Sequence, residues 1–399
     1  MCCVQNDKKT IQIFYFTTMQ FKDIIGQEVT KKHLIDTVNH NRVSHAQLFL
    51  GPEGCGSLAL AIAYAQYINC TDRRPDDSCA QCASCKKYQK LIHPDLHFSY
   101  PIFAKDKDDK SINYIADWRK AILNNYYLGL DEWRSNLNVD NKQFNINIAE
   151  SHSIISRLSL KPFESEYKIM IVWLPEFLEK SGNALLKIIE EPAPKTVFLL
   201  VTQNQEHLLN TIISRTQIVK IPKLKNEDVV DFLVKEKSAE LSKAQQIAYL
   251  SNGNLHTAQL FLTHEENNFH ETFVNWLRSC LQNKGLDIVN HAEELAKLGR
   301  ENQKNFLRYG INMMREAVLY LAGTPVLIHL PEKEMDFVSK FSKVLNLAKA
   351  ECIASEFENA HYHIERNANP KILFLDVSLM LVKLLKFNSF PAGTQHILL

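Results

Sequence analysis

Apolar runs of strand length alternate with helical patterns in the first half of the chain. Four short runs are mainly apolar, at positions 46–50, 168–174, 196–202 and 217–221, and the last two are rich in branched residues. Between these runs, apolar residues recur at helical spacing over 57–69, 146–160 and 176–191, and Pro192 ends the last of these patterns. Strands that alternate with helices form parallel sheets covered on both faces, so this part is predicted to be α/β.

The strand pattern ends after Pro222, and helical spacing dominates the rest of the chain. Short amphipathic patterns cover 226–236 and 243–251, and almost all of 265–387 has helical spacing. Three domains are therefore expected: an α/β domain over 19–222, a small helical domain over 223–264 and a helical domain over 265–399. Within the first domain, residues 95–145 are interpreted as an insertion with one or two helices. Its aromatic stretch at 114–133 is interpreted as a packing element, with a partner-docking surface as the weaker alternative.

Composition narrows the class of protein. The 399 residues fit two to three domains of about 150 residues each. A formal net charge of +1 argues against a polybasic nucleic-acid binder. No apolar run reaches the roughly 20 residues of a transmembrane helix. A cytoplasmic protein without membrane contact is expected.

The N-terminal segment is set apart from the domains. Its short apolar run at 11–16 lacks a small-residue cleavage site, so no signal peptide is expected. A second methionine, Met19, precedes the first ordered pattern. Residues 1–18 are interpreted as a disordered tail or the product of an upstream start.

The loop after the first predicted strand reads Gly-Pro-Glu-Gly-Cys-Gly-Ser-Leu, the glycine spacing of a phosphate-binding loop. Such a loop holds phosphate oxygens with backbone amides. Gly51, Gly54 and Gly56 are in place, but Ser57 stands where a lysine should reach the β and γ phosphates. Leu58 stands where a hydroxyl should bind Mg²⁺. We therefore expect a degenerate loop, and ATP binding by this chain is not expected.

The acidic half of an ATP site is missing as well. The strand at 168–172 is followed by Trp173, Leu174 and Pro175, and no carboxylate occurs before Glu176. An ATP site of this type needs acidic residues there to orient Mg²⁺ and water. From the loop alone, a tight strand-to-helix turn that never bound nucleotide is an equally good interpretation.

Four of the nine cysteines are clustered. They are Cys70, Cys79, Cys82 and Cys85. In a chain of this size, clustering indicates a metal site rather than a disulfide framework. Four thiolates in tetrahedral arrangement are typical of Zn²⁺, and a site filled by protein ligands is structural. A redox Cys-x-x-Cys pair and an iron–sulfur cluster are weaker alternatives.

Several short motifs occur in one order between positions 21 and 222. They are Ile-Gly-Gln at 25–27, His-Ala at 45–46, Leu-Phe-Leu-Gly-Pro at 48–52, the four cysteines, Asn-Ala-Leu-Leu-Lys at 183–187, Glu-Glu-Pro at 190–192 and Ser-Arg-Thr at 214–216. In this order they resemble the delta-prime family of bacterial DNA polymerase III clamp-loader subunits, within the AAA+ ATPase superfamily. The gamma and tau ATPase subunits share most of these motifs but keep the lysine and the acidic pair.

The resemblance implies both a fold and a function. The fold is an AAA+ P-loop-type parallel sheet domain with an inserted zinc module, followed by a small helical lid domain and an all-helical collar domain. The function is that of a subunit without intrinsic catalysis, accessory to the polymerase holoenzyme. With gamma/tau and delta subunits it would form a ring of five, a hetero-oligomer that loads the sliding clamp onto primed DNA in replication.

The resemblance also implies a role for Ser214 and Arg215. In the family this motif places its arginine in the ATP site of the neighbouring subunit, where a guanidinium stabilises charge on the γ phosphate. Thr216 replaces the usual cysteine without changing the cation. Without the flanking motifs, an ion pair with a nearby carboxylate is the commoner role for such an arginine.

Other positions depart from the active ATPases of the family. The sensor position falls at 202–204, and His256 stands where active ATPases carry an arginine. We interpret His256 as a solvated residue at a helix start. Two other functions stay open: a gamma/tau-like ATPase with unusual nucleotide-site residues, and a zinc-bearing DNA-binding protein.

Overall fold

The protein is described here by a computed structural model. The described residues are 20–139, 143–263, 269–324, 328, 330–366, 368–387 and 389. They form two compact units: the described residues up to Ser238 together with Ser251–Gln259, and Ala239–Leu250 together with those from Leu260 onward. The tail expected over residues 1–18 lies outside the described residues. The division into three domains, with boundaries at 222 and 264, stays a prediction.

Five parallel strands form the sheet of the first unit. They are β1 (Ala46–Leu50), β2 (Leu96–Ser99), β3 (Lys168–Trp173), β4 (Thr196–Thr202) and β5 (Gln217–Lys220). The order is β2-β3-β4-β1-β5, and every neighbouring pair is parallel. All residues of β3 and β4 are buried, as expected for strands covered on both faces. The register pairs Leu50 with Thr202 and Trp173 with Val201, so three strands end at one edge.

Helices alternate with these strands along the chain. They are α1 (Glu28–Asn39), α2 (Ser57–Ile68), α3 (Ala83–Gln89), α4 (Ile115–Asn124), α5 (Leu130–Asn136), α6 (Ile148–Leu158), α7 (Leu186–Glu190), α8 (Asn210–Ile213) and α9 (Asn226–Lys237). Every residue of α2 is buried, and none is charged. A helix that is apolar on all sides belongs in the interior. The core therefore fixes α2 together with the glycine loop that precedes it.

The prediction for residues 95–145 is partly wrong. Leu96–Ser99 forms β2, an edge strand paired with β3, so the insertion begins only after Ser99. The four-residue strand contains a histidine and a serine, which hides it among turn residues in the sequence. One or two helices were expected in the insertion, and it contains two, α4 and α5.

The single helix predicted over 176–191 is also wrong. A 3-10 segment at Pro175–Leu185 precedes the short α7, and Glu179 interrupts it with a φ of 44°. Backbone carbonyls of this segment accept hydrogen bonds from outside it. Ile146 N donates to Phe177 O at 2.9 Å. Ser151 Oγ likewise donates to Ser181 O at 3.2 Å. Carbonyls engaged in this way do not build a regular α-helical ladder.

The second unit is helical in its described residues. The helices from this point of the chain are α10 (Leu241–Ser251), α11 (Leu255–Thr263), α12 (Phe269–Gln282), α13 (Gly285–Lys297), α14 (Arg300–Leu321), α15 (Glu332–Phe341), α16 (Leu347–Glu365) and α17 (Pro370–Leu385). Gly310 lets α14 approach its neighbours closely, since a Cβ there would lie 2.9 Å from the rings of Phe273 and Phe357. Trp276 donates to Ser378 Oγ at 2.8 Å, which satisfies its buried indole N–H.

The parallel sheet, the cysteine-bearing segment inserted into it and the helical region that follows confirm the predicted fold class. None of the helices described is long and apolar enough to cross a membrane.

Candidate functional site

The glycine loop between β1 and α2 has a backbone shape that requires its glycines. Gly54 and Gly56 have φ values of 71° and 92°, in the left-handed region that side chains disfavour. A Cβ on Gly51 would lie 2.6 Å from Ile221 O. The loop leads directly into α2 at Ser57. This geometry fits a loop built to present backbone amides to an anion.

Ser57 and Leu58, which stand at the lysine and Mg²⁺-binding positions, have buried side chains. Ser57 Oγ is 3.0 Å from Cys55 Sγ, and Leu58 is buried. Among the described residues that line the pocket in front of the loop, none is a lysine or an arginine. The polyphosphate of a nucleotide would find no cation from this chain in that lining.

The first carboxylate after β3 serves the loop after β4. Glu176 Oε1 accepts from the hydroxyl of Thr202, from Gln203 N at 2.7 Å and from Asn204 N at 3.1 Å. Trp173 is buried at the end of β3, beside this loop. The residues predicted as the sensor position are therefore held by Glu176.

The start of α11 closes on the glycine loop. Leu255 N donates to Gly54 O at 3.1 Å, and Asn254 Nδ2 donates to Glu53 Oε2 at 3.3 Å. The prediction of a solvated His256 is wrong, because this side chain is buried with its Nδ1 3.3 Å from Glu132 Oε2. Glu132 lies in α5 of the insertion, so a partner distant in sequence determines the burial of the histidine.

The insertion also reaches the glycine-loop pocket. Its residues Tyr126, Tyr127 and Leu128 line the pocket together with the loop and the ends of β3 and β4, and all three are buried. The remaining cavity is about 30 Å³, room for a few water molecules. Sequence reasoning missed these residues. The adjacent tyrosines before Gly129 were the available signal, but nothing in the sequence linked them to the loop.

Arg215 lies just after α8 and is partly exposed, with 33% of its side chain accessible. Its Nε donates to Glu190 Oε2 at 2.9 Å, and its Nη1 donates to Thr211 O at 3.0 Å. Ser214 Oγ donates to Thr211 O at 3.2 Å. The ion pair with Glu190 is the contact that the alternative interpretation anticipated. An exposed pair of this kind is worth about 1 kcal/mol or less, so a stronger partner can displace it.

The four cysteines come together as their spacing suggested. Their sulfur atoms all lie within 4.8 Å of one another, and Cys79 Sγ is 3.9 Å from Cys85 Sγ. With metal–sulfur bonds of about 2.3 Å, a tetrahedral zinc site has sulfur atoms about 3.8 Å apart. The amides of Cys79, Cys82 and Cys85 point at cluster sulfurs at distances of 3.3, 3.3 and 3.4 Å. This arrangement could bind a metal ion.

The chain that follows the cysteines is anchored beside β2. The rings of Tyr88 and His93 have centroids 4.6 Å apart. Asp95 accepts from the backbone amides of residues 163, 164 and 165 at 2.5, 2.9 and 2.9 Å. Burial alone would raise the pKa of Asp95, but these three donors hold it below its usual range. The segment between the cysteines and β2 is thereby held in a fixed position.

Comparisons with known proteins identify the family to which the chain is similar. A family model described as "DNA polymerase III, delta subunit" matches residues 26–225, about half of the chain. The chain is 26% identical over 257 residues to the DNA polymerase III subunit gamma of Buchnera aphidicola, covering 62% of this chain and 59% of that protein. It is 26% identical over 230 residues to the DNA polymerase III subunit delta' of Bacillus subtilis, covering 57% of each.

A solved structure, of a gamma subunit-related protein from Thermotoga maritima, covers 89% of this chain and 99% of that chain at 15% identity, with a TM-score of 0.36. The match to each of the two curated relatives spans less than two thirds of the relative's length.

Proposed function

Because this chain belongs to the DNA polymerase III delta subunit family, we propose that it is a delta-prime-type clamp-loader subunit that does not hydrolyse ATP itself. It acts in DNA replication, within a ring of five subunits that loads the sliding clamp onto primed DNA. Its partners in the ring are gamma/tau ATPase subunits and a delta subunit. It reaches the clamp and the DNA through this hetero-oligomer.

One observation carries this proposal: a glycine loop of intact shape has no cation or hydroxyl in the positions that ATP chemistry needs. Ser57 is engaged with Cys55, Leu58 is buried, and Glu176 holds the loop after β4. Hydrolysis depends on charge stabilisation of the γ phosphate and on a positioned Mg²⁺. A chain that supplies neither is not expected to hydrolyse ATP at its own glycine loop.

Arg215 is the group through which this chain contributes. A guanidinium is always charged and offers a planar set of donors that matches phosphate oxygens. Arg215 Nη2 makes no hydrogen bond to any residue that the structure describes, and the pair with Glu190 is exposed. In the assembled ring, Arg215 exchanges Glu190 for the γ phosphate bound by the neighbouring subunit. Ser214 helps to fix the turn that presents it.

The cysteine cluster is proposed to hold one structural Zn²⁺. The sulfur positions fit tetrahedral thiolate ligation, and the amides that point at them stabilise negative charge. With four protein ligands the ion has no open position for substrate. Its contribution is to folding, since it closes a segment too short to build a core of its own.

The isolated chain is expected to release no phosphate from ATP above background, with or without primed DNA. The physical reason is that neither the lysine nor the Mg²⁺-binding groups are present. Phosphate release is measured beside a gamma/tau subunit as the positive control. Turnover that copurifies with the chain and disappears in a Gly56→Val variant would instead favour the gamma/tau-like ATPase. DNA binding by the isolated chain that falls steeply with salt would favour the zinc-bearing DNA-binding protein.

A further inference from the structure

The pocket in front of the glycine loop is filled by the chain itself. We infer that the turn at 126–128, between α4 and α5 of the insertion, is an internal plug that occupies the nucleotide pocket of this subunit. The inference rests on the proposed function in one respect: in both, the glycine loop of this chain takes no part in ATP hydrolysis. It does not depend on the role of Arg215.

Tyr127 is the centre of the plug. Its Oη accepts from Ile25 N at 2.9 Å, and its ring carbon Cε1 lies 3.1 Å from where a Cβ on Gly56 would stand. The ring therefore rests on the last glycine of the loop. Burial raises the pKa of the Tyr127 hydroxyl further above the range of physiological pH, where an ordinary tyrosine is already neutral. A neutral, buried ring occupies the space in front of the loop amides.

The turn that carries Tyr127 is preorganised. Tyr127 N donates to Asn125 Oδ1 at 3.0 Å, and Asn125 Nδ2 donates to Glu132 Oε2 at 2.8 Å. The same carboxylate lies 3.3 Å from Nδ1 of the buried His256. A Cβ on Gly129 would meet His256 Cδ2 at 2.9 Å, so the turn is pressed against the start of α11. Glu132 thus links the plug to the residue that replaces the arginine of active ATPases.

An aromatic cluster anchors the insertion at the end of β3. Trp118 of α4 stacks on Tyr100 with ring centroids 4.0 Å apart and lies 5.2 Å from the ring of Trp173. Trp133 of α5 lies 5.2 Å from Trp118, and its Nε1 donates to Pro101 O at 2.8 Å. Trp173 occupies the place where an acidic residue would orient Mg²⁺. The departure at Trp173 and the presence of the insertion are therefore one packed arrangement.

These contacts block the pocket independently of the missing lysine. Tyr126, Tyr127 and Leu128 would have to leave the interior before a nucleotide could enter a cavity of about 30 Å³. A binding site that is open only in a small fraction of molecules loses affinity in proportion to that fraction. Restoring the lysine alone is therefore not enough to restore nucleotide binding.

Four variants of the full chain test the plug, the first three by their affinity for ATP and the fourth by hydrogen exchange. They are Ser57→Lys, Ser57→Lys with Tyr127→Ala, Ser57→Lys with Tyr114→Ala, and Tyr127→Phe. Tyr114 belongs to the same insertion but bonds to Asp109 at 2.7 Å, away from the residues that line the pocket. The plug predicts that the Tyr127→Ala combination binds ATP at least about tenfold more tightly than Ser57→Lys alone. The Tyr114→Ala combination should bind as Ser57→Lys does.

Equal affinity of Ser57→Lys with and without Tyr127→Ala would overturn the plug, and this includes no detectable binding by either. If the alanine variant fails to fold, Tyr127→Phe decides, because it keeps the ring and removes only the acceptor of Ile25 N. Hydrogen exchange of the Ile25 amide should then rise about tenfold, and unchanged exchange would overturn the contact. The proposed function is tested by a separate measurement. ATP turnover by the unaltered chain would contradict it without bearing on the plug.

Discussion

Replacing Arg215 by alanine is expected to slow ATP hydrolysis about a thousandfold at the ring site that receives this arginine. A guanidinium supplied from a neighbouring subunit stabilises charge that develops on the γ phosphate, and alanine leaves that charge without a partner. In the proposed ring, the other ATP sites do not depend on Arg215. The DNA-stimulated ATPase of the whole complex should therefore lose at least the share of this one site, while assembly is unchanged.

Two companion variants make this result specific. Arg215→Lys keeps the charge but loses the planar donor set, so it should recover only part of the rate. Arg42→Ala removes an exposed arginine at a distant position in the sequence and should leave the rate unaltered. If the Arg215→Ala complex hydrolyses ATP at the rate of the unaltered complex, the proposed role of Arg215 in hydrolysis is refuted. The ion pair with Glu190 is then its only function.

Replacing Cys85 by alanine is expected to abolish metal binding and to destabilise the first unit by about 3 to 5 kcal/mol. Cys85 is fully buried, and its sulfur sits 3.9 Å from that of Cys79. Removing one of four thiolates opens the ligand set, and the segment around it loses the ion that closes it. A drop in melting temperature of roughly 10 °C should accompany the loss of zinc.

The matched control is Cys352→Ala, which removes a buried thiol that belongs to the second unit. It should keep one equivalent of zinc. Metal content is read by elemental analysis of protein purified without chelators. Zinc far below one equivalent in the unaltered chain, or iron in its place, would refute the zinc assignment.

Two of the strands that sequence patterns predicted correctly, β3 and β4, are buried at every residue. Most of their residues are apolar and either branched or aromatic, as expected for strands covered on both faces. At β2 the residues Leu96 to Ser99 include polar side chains, and only pairing with β3 makes them a strand. The segment after β3 has a helical pattern, yet contacts with α6 and its surroundings divert its carbonyls. In β2 and in the segment after β3, contacts between residues distant in sequence determine the structure. A local sequence pattern carries no information about such contacts.

In the candidate site too, the sequence predicts which residues stand at motif positions but not which distant residues contact them. The absent groups at Ser57, Leu58 and Trp173 could be read from the sequence, because a motif fixes which residue stands at which position. The burial of His256 could not, since its partner Glu132 is more than a hundred positions away. The approach of Tyr127 to the glycine loop depends on the fold of the whole insertion for the same reason.

The mass of the assembly that the full chain forms with gamma/tau and delta subunits of the same organism tests the clamp-loader assignment most directly. Native mass spectrometry should give a five-subunit complex that contains this chain together with both kinds of partner. A chain that stays alone or pairs only with itself, while the other subunits assemble without it, would contradict the assignment.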